Sequence, residues 1–563
     1  MSAPPDKDSY DFVVVGAGGA GMAAALFAAI ENKKVLLVEN TDRVGGTTAL
    51  SAGTAWIPNT HHAAAMGSDD SPDKAARYLQ LAVGNRSSED LRRAFLENGP
   101  KAVAELELKS DVKFRPFPLH PDYLSELEGS VMSGRAIEPL PFDGRKLGAH
   151  FALLRNPIPE FTILGGMMVD RGDALRLLHA TKSWSAAWDA FKLVGRYLID
   201  RSTHRRGTRL VMGNALCARL LYSLGRWGVP IWLNAKVEEL VCNGPDVTGI
   251  VVHYAGARRR ITARHGVILA TGGFSRHPVL RKKLLNTPVP TESPIAPGNT
   301  GEMHDLALAI GARHGQGNLD SAVWAPVSIR RRPDGSTAVY PHFFLDRGKP
   351  GMVAVNQSGR RFVSEATSYH LFGRAMFKLN NGTPSIPAFL ITDSVGMQKY
   401  GLGVVKPGSR GLRGCLLDGY VIEAPSLRQL AHKLEIDAPN LESTIKAMNS
   451  YAVTGVDPEF NRGGTAYERT TNGDSAHQPN PCLGPIATAP FYAVRLYPGD
   501  IGAATGLVTN SDAQVMGADD CPIRGLYACG NDMNSVMGGT YPGPGINIGP
   551  ALTFAYIAVR HAS

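Results

Sequence analysis

No window of this sequence reaches the roughly 18 uncharged apolar residues of a bilayer-spanning helix, so no such helix is expected. The opening "MSAPPDKDSY" lacks the apolar run of a secretory leader, so a cytoplasmic protein is expected. Cysteine is scarce, with six residues at 217, 242, 415, 482, 521 and 529 and no C-x-x-C pair. Reduced thiols, no disulfides and no metal centre are expected from that spacing. Dense basic runs are few: "RRGTR" (205–209) and "RRR" at 258–260 and 330–332 stand out within a net charge of +9. Without aromatic-rich basic motifs, nucleic acid is not an expected partner. Charged residues make up 19% and hydrophobic residues 44%, a globular rather than a disordered balance. At 563 residues the chain exceeds one ordinary core, so two domains are expected.

The first motif present is "YDFVVVGAGGAGMAAALFAAIENKKVLLVEN". Phe12 to Val15 read as a strand, Met22 to Ile30 as an Ala-rich helix, and Val35 to Val38 as a second strand. Gly16, Gly18 and Gly21 supply G-x-G-x-x-G, which lets the backbone approach a pyrophosphate seated on the helix N-terminus. Glu39 closes the second strand, where a carboxylate accepts ribose hydroxyls. "RVGGTTALSAGTAWIPN" follows, with Gly46, Thr47, Thr48 and Ser51 offering amides and hydroxyls in a small-residue loop. Two more strand-to-Gly elements occur far away, "HGVILATGGF" (265–274) and "IRGLYACGND" (523–532). Three such elements on one ligand indicate FAD, because NAD is usually held by the first alone.

These pieces resemble the fumarate reductase and 3-ketosteroid dehydrogenase superfamily of flavoproteins over nearly the whole chain. The resemblance implies an α/β fold, with a discontinuous Rossmann-like FAD-binding domain (1–296 and 487–563) and an inserted α+β catalytic domain (297–486). It also implies a cofactor set of Gly16, Gly18, Gly19, Ala20, Gly21, Glu39, Asn40, Gly46, Thr47, Thr48, Ser51, Ala52, Gly53, Val237, Thr271, Gly272, Gly530, Asn531, Ile548, Ala551 and Leu552.

Opposite the flavin, Gly525 to Val559 contains no Lys, Arg or His. A dicarboxylate substrate requires paired cations, so an uncharged substrate is expected. Within that segment lies "GGTYPGPGINIGP" (538–550), where Pro542 and Pro544 lack N–H groups and stiffen the loop. Gly545 has no Cβ, so its N–H is open to close approach. The Tyr541 hydroxyl and the Gly545 N–H four residues later can meet on one carbonyl oxygen and stabilise an enolate.

The loop is similar to that of the 3-ketosteroid Δ1-dehydrogenases, whose Tyr and Gly pair holds the C3 ketone. By that resemblance Tyr541 and Gly545 bind the ketone. Tyr369, in "GRRFVSEATSYHLFG" (359–373), is the base, and Tyr123, in "HPDYLSELEGSVMSGRAIEPLPFDGRKLG" (120–148), assists it. His120 stands where the family carries an aromatic residue, and Asp346 in "FFLDRGKPG" stands where it carries Glu. The implied reaction is 1,2-dehydrogenation, with C2 proton abstraction, C1 hydride transfer to flavin N5, and re-oxidation by a quinone or another acceptor. A 3-ketosteroid 4(5α)-dehydrogenase, a fumarate-reductase-like flavoprotein and a non-catalytic flavoprotein stay open as alternatives. "TKSWSAAWDAFKLVGRYLIDRSTHRRG" (181–207) places Trp184, Trp188, Phe191 and Leu198 among basic residues near helical spacing. Two readings follow: a helix lying on the inner membrane face, or one docking its aromatic side internally.

Overall fold

The computed structural model describes residues 8–179 and 183–563. Strand β1 (Ser9–Val15), helix α1 (Gly19–Ile30) and strand β2 (Val35–Val38) follow the predicted order. The helix begins three residues earlier than its Ala-rich run, at Gly19, the second residue of the Gly18–Gly19 pair. A Cβ on Gly21 would stand 1.8 Å from the Gly16 carbonyl oxygen, so α1 packs on β1 only with glycine there.

β1 is paired in parallel with β2 on one side and with the strand Ala257–Leu269 on the other. The strand Pro522–Ala528 joins in parallel beyond it. Registers put Val15 opposite both Val38 and Leu269, and Leu269 opposite Ala528. The four strands therefore end at one level, and the Gly-rich turns that follow them emerge along one edge. Ligands bind at such an edge because the strand ends and helix N-termini leave open backbone donors there. The C-terminal helix Ile548–Ala562 packs against α1 and delivers its first turn to the same edge.

A second, antiparallel sheet runs Thr337–Pro341, Ala322–Arg331, Phe491–Ala503, Ala388–Asp393, Met352–Val355. Its 13-residue strand Phe491–Ala503 lies beyond the expected boundary at 486. The chain returns to the first sheet at Gln514–Met516, which pairs with Pro522–Ala528. An apolar strand at 491–503 fits either sheet by local pattern, and long-range pairing decides it.

The helix Trp184–Thr203 keeps its aromatic side uncovered: Trp184 is 93%, Phe191 66% and Ile199 71% exposed. The internally docked reading is thereby excluded for these side chains. Residues 181 and 182 lie outside the described residues.

Candidate active site

A cleft of about 1140 Å³, partly open to solvent, runs along the shared strand edge. Seventeen of the expected cofactor residues line it. From the first motif and its loop come Gly16, Gly18, Gly19, Ala20, Glu39, Asn40, Gly46, Thr47, Thr48 and Ser51. From the distant elements come Val237, Thr271, Gly272, Gly530, Asn531, Ile548 and Ala551. The other four do not line it: Gly21 serves helix packing, Ala52 lies outside, Gly53 abuts Gly213, and Leu552 is fully buried in the core. Residues outside the expected cofactor set also line the cleft, among them Arg155, Asn299, Met303, Ile501 and Asn547.

The cleft suits an extended anionic dinucleotide. Helix α1 has Gly18 as its N-cap and no acid in its first turn, and its Gly19 N–H donates to the cleft-lining Thr48 hydroxyl at 3.3 Å, so its positive end adjoins the cleft. A Cβ on Gly18 would meet nothing within 4 Å, so this position opens onto ligand space. The Arg155 Nε is buried without a partner, and burial lowers the pKa of that guanidinium, so an anion would relieve it. Glu39 accepts the Ala17 N–H at 2.8 Å and both the N–H and hydroxyl of Thr41 at 2.9 and 2.8 Å, which fixes its carboxylate at the rim. Buried Asp532 ties two distant turns together by accepting the Thr271 hydroxyl at 2.8 Å and the Gly273 N–H at 2.8 Å.

Tyr123, Tyr369 and Tyr541 come together in a separate buried cluster. The Tyr123 hydroxyl donates to that of Tyr369 at 3.3 Å. Tyr541 has its ring centroid 5.2 Å from Tyr369 and 5.5 Å from Tyr123. Burial pushes the Tyr541 phenol up to about 12, against the smaller lowering by the Tyr369 hydroxyl and the Gly545 backbone. Burial also raises Tyr123 and Tyr369 well above the ordinary phenol value. All three are therefore neutral donors at neutral pH in the ligand-free protein. Tyr369 opens the helix Tyr369–Asn380, whose positive end favours a phenolate there.

The loop carrying Tyr541 and Gly545 is held from three sides. The Pro542 carbonyl accepts the Tyr123 N–H at 2.8 Å and the Tyr78 hydroxyl at 2.6 Å. A Cβ on Gly543 would stand 2.4 Å from the Trp56 ring, and one on Gly545 would stand 2.1 Å from the Thr54 carbonyl oxygen. Gly545 also has φ of 92°, a conformation natural only to glycine. Trp56 donates its Nε1–H to Asp122 at 2.8 Å, and Asp122 pairs with buried Arg135 at 2.7 Å. Burial raises Asp122 to about 6, the Arg135 charge opposing that shift.

Two further groups flank the tyrosines. Tyr467 has its ring 4.5 Å from that of Tyr123. Arg347 is fully buried, donates from Nε to the His342 carbonyl at 2.9 Å, and leaves Nη2 without a partner. Its positive charge holds down the pKa of both Tyr467 and Tyr123 against the larger effect of burial.

An uncapped glycine turn at the shared strand ends, three distant segments on one cleft and a neighbouring phenol cluster define a dinucleotide-binding oxidoreductase architecture. The chain belongs to the FAD binding domain family, whose model matches residues 11–548, and FAD is its cofactor. It is 36% identical to a 3-oxosteroid 1-dehydrogenase of Mycolicibacterium smegmatis, over 98% of this chain and 96% of that protein. It is equally 36% identical to a 4-oxocyclohex-2-ene-1-carboxylate 5-dehydrogenase of Sinomonas cyclohexanicum, over 98% and 93%. Among solved structures it resembles the 3-ketosteroid delta1-dehydrogenase of Sterolibacterium denitrificans in complex with 1,4-androstadiene-3,17-dione. That match has 37% identity, a TM-score of 0.92 and 99% coverage of both chains.

Proposed function

We propose that this protein is a 3-ketosteroid Δ1-dehydrogenase, removing hydrogen from C1 and C2 beside the C3 ketone. The observation that carries the reading is the buried cluster of the Tyr541, Tyr369 and Tyr123 phenols, with Gly545 in the same constrained loop as Tyr541. The residues that would hold FAD are the seventeen lining the cleft, with Arg155 added. Bound FAD supplies the two-electron acceptor for the reaction.

The chain's own part is to bind the ketone, acidify its neighbour and move one proton. Tyr541 and Gly545 donate to the ketone oxygen and stabilise the enolate that develops on it, by about 3–4 kcal/mol per donor in comparable sites. Tyr369 takes the C2 proton as its phenolate and becomes a neutral phenol, with the Tyr123 hydroxyl donating to its oxygen at 3.3 Å. Arg347 stabilises negative charge on Tyr123 and Tyr467, countering the burial that otherwise keeps them protonated. The test is anaerobic mixing of the holoenzyme with 4-androstene-3,17-dione, 5α-androstane-3,17-dione or a 4-oxocyclohexanecarboxylate. Formation of a 1,2-alkene from the steroids supports the reading. A 4,5-alkene from the saturated steroid, or turnover of the small acid alone, replaces it.

The small acid is the second reading, because the relative named for such a substrate is as similar as the steroid enzyme. The neutral ketone is favoured because Gly525–Val559 carries no Lys, Arg or His, and Arg347, the cation that acts on Tyr123 and Tyr467, is fully buried and donates to the His342 carbonyl.

The uncovered face of Trp184–Thr203 is the proposed membrane contact. Exposed Trp184, Trp188, Phe191, Leu198 and Ile199 lie beside exposed Lys192 and Arg201, the composition of an interfacial helix. Flotation with anionic liposomes at low salt is the test, and absence of binding removes the idea. Among the described residues no helix is long and apolar enough to cross a membrane. Re-oxidation falls to a quinone or another electron acceptor, and a short-chain quinone or an acceptor dye, but not NAD, should re-oxidise the anaerobically reduced protein.

A further inference from the structure

His61 and His62 adjoin in sequence, yet both direct Nε2 at the same Glu107 Oε2, each at 2.9 Å. Neighbouring side chains on a helix normally diverge. Here they open the short helix His61–Ala65, and their ring centroids lie 4.1 Å apart. Glu107 sits in the last turn of the helix Glu89–Lys109, whose carbonyl end favours a cation. Its other oxygen, Oε1, is held by the Phe114 N–H at 2.8 Å, which orients Oε2 toward the imidazoles. Lys113 is turned away from the carboxylate, donating from Nζ to the Glu107 backbone carbonyl. Among the described residues no other trio of His, Cys, Asp or Glu brings its ligand atoms so close together.

We propose that His61, His62 and Glu107 form a site for one divalent transition-metal ion of the zinc, cobalt and nickel class. Two imidazoles and one carboxylate make a three-ligand set that leaves a fourth position for water. Ligand atoms around tetrahedral zinc are separated by about 3.3 Å, given metal–ligand bonds of about 2.0–2.1 Å. Each imidazole therefore needs to recede from Oε2 by only a few tenths of an ångström. His61, half exposed on its side chain at 54%, can make that movement and leaves an entry path from solvent. The held Oε1 acts as the outer contact that fixes a ligating carboxylate. Bound metal would clasp the segment after Trp56 to the end of the Glu89–Lys109 helix. Trp56 backs the Gly543 to Gly545 turn, so the clasp stabilises the support of that loop without joining the phenol cluster.

The test uses the tag-free holoenzyme, titrated calorimetrically with zinc chloride and, in parallel, with cobalt chloride while its visible spectrum is followed. The expected result is one equivalent of saturable binding, a cobalt band at longer wavelength than the flavin, and a rise in Tm with metal. His61→Ala, His62→Ala and Glu107→Gln should each weaken binding by about 10–100-fold or more. His61→Ala is the safeguard against misfolding, because its side chain is solvent-facing and its flavin spectrum reports the fold. Absence of saturable binding below ~1 mM overturns the proposal. So does undiminished binding in the His61→Ala, His62→Ala double variant.

Discussion

Replacing Tyr541 by Phe removes one hydroxyl and leaves the ring. The ring is 8% exposed and packs against Tyr369 and Tyr123 at centroid distances of 5.2 and 5.5 Å, so packing and flavin binding should survive. With its pKa pushed up to about 12, the wild-type phenol is a neutral donor throughout the assay range. Only the Gly545 N–H would then face the ketone oxygen. The expected loss is about 10²–10³-fold in kcat, or ~2.7–4 kcal/mol of transition-state stabilisation. KM should change much less, because the donor matters most once negative charge develops on the oxygen. The assay is steady-state reduction of an acceptor dye with 4-androstene-3,17-dione, alongside the visible flavin absorbance. A loss under about threefold, equivalent to ~0.7 kcal/mol, would refute the ketone-binding role.

Tyr369→Phe should lower kcat by about 10²–10⁴-fold with flavin content unchanged, measured with the same dye. Gly545→Ala should cost about 1–3 kcal/mol by thermal melting and abolish turnover, since its Cβ would stand 2.1 Å from the Thr54 oxygen at a φ of 92°. The burial-raised pKa of Tyr369 and Tyr123 makes kcat rise with pH on the alkaline side, because the base works deprotonated. Arg347→Met removes the cation that opposes the rise at Tyr123 and should move that limb to higher pH, whereas a merely structural role would leave its position fixed. Glu39→Gln should weaken FAD retention by about 10- to 100-fold, read as flavin absorbance per protein after dialysis, through loss of charge-assisted bonds to Ala17 and Thr41.

The glycine turn, Glu39 and the Tyr-Pro-Gly-Pro-Gly loop were legible because their chemistry is local. Each needs a residue type at a fixed offset, and no distant contact changes that need. The supports of the loop were not legible. Tyr78 reaches Pro542 across 464 positions, and the Trp56, Asp122 and Arg135 chain has no spacing that marks it. Arg347 and Tyr467 looked like any other Arg and Tyr, because burial and a missing partner give them their role. Arg155 was hidden likewise, and only the assembled cleft shows its unpartnered Nε. For the strand Phe491–Ala503, apolar pattern gave the element and long-range pairing chose the sheet. The helix Trp184–Thr203 showed the converse limit: its aromatic periodicity fits a docked face and an uncovered one equally.

The most direct measurement is a crystal structure of the oxidised holoenzyme with 1,4-androstadiene-3,17-dione. The C3 oxygen should lie within hydrogen-bond reach of both the Tyr541 hydroxyl and the Gly545 N–H, with the Tyr369 hydroxyl facing C2. A steroid bound with that oxygen elsewhere, or with those donors directed only at each other, would contradict it.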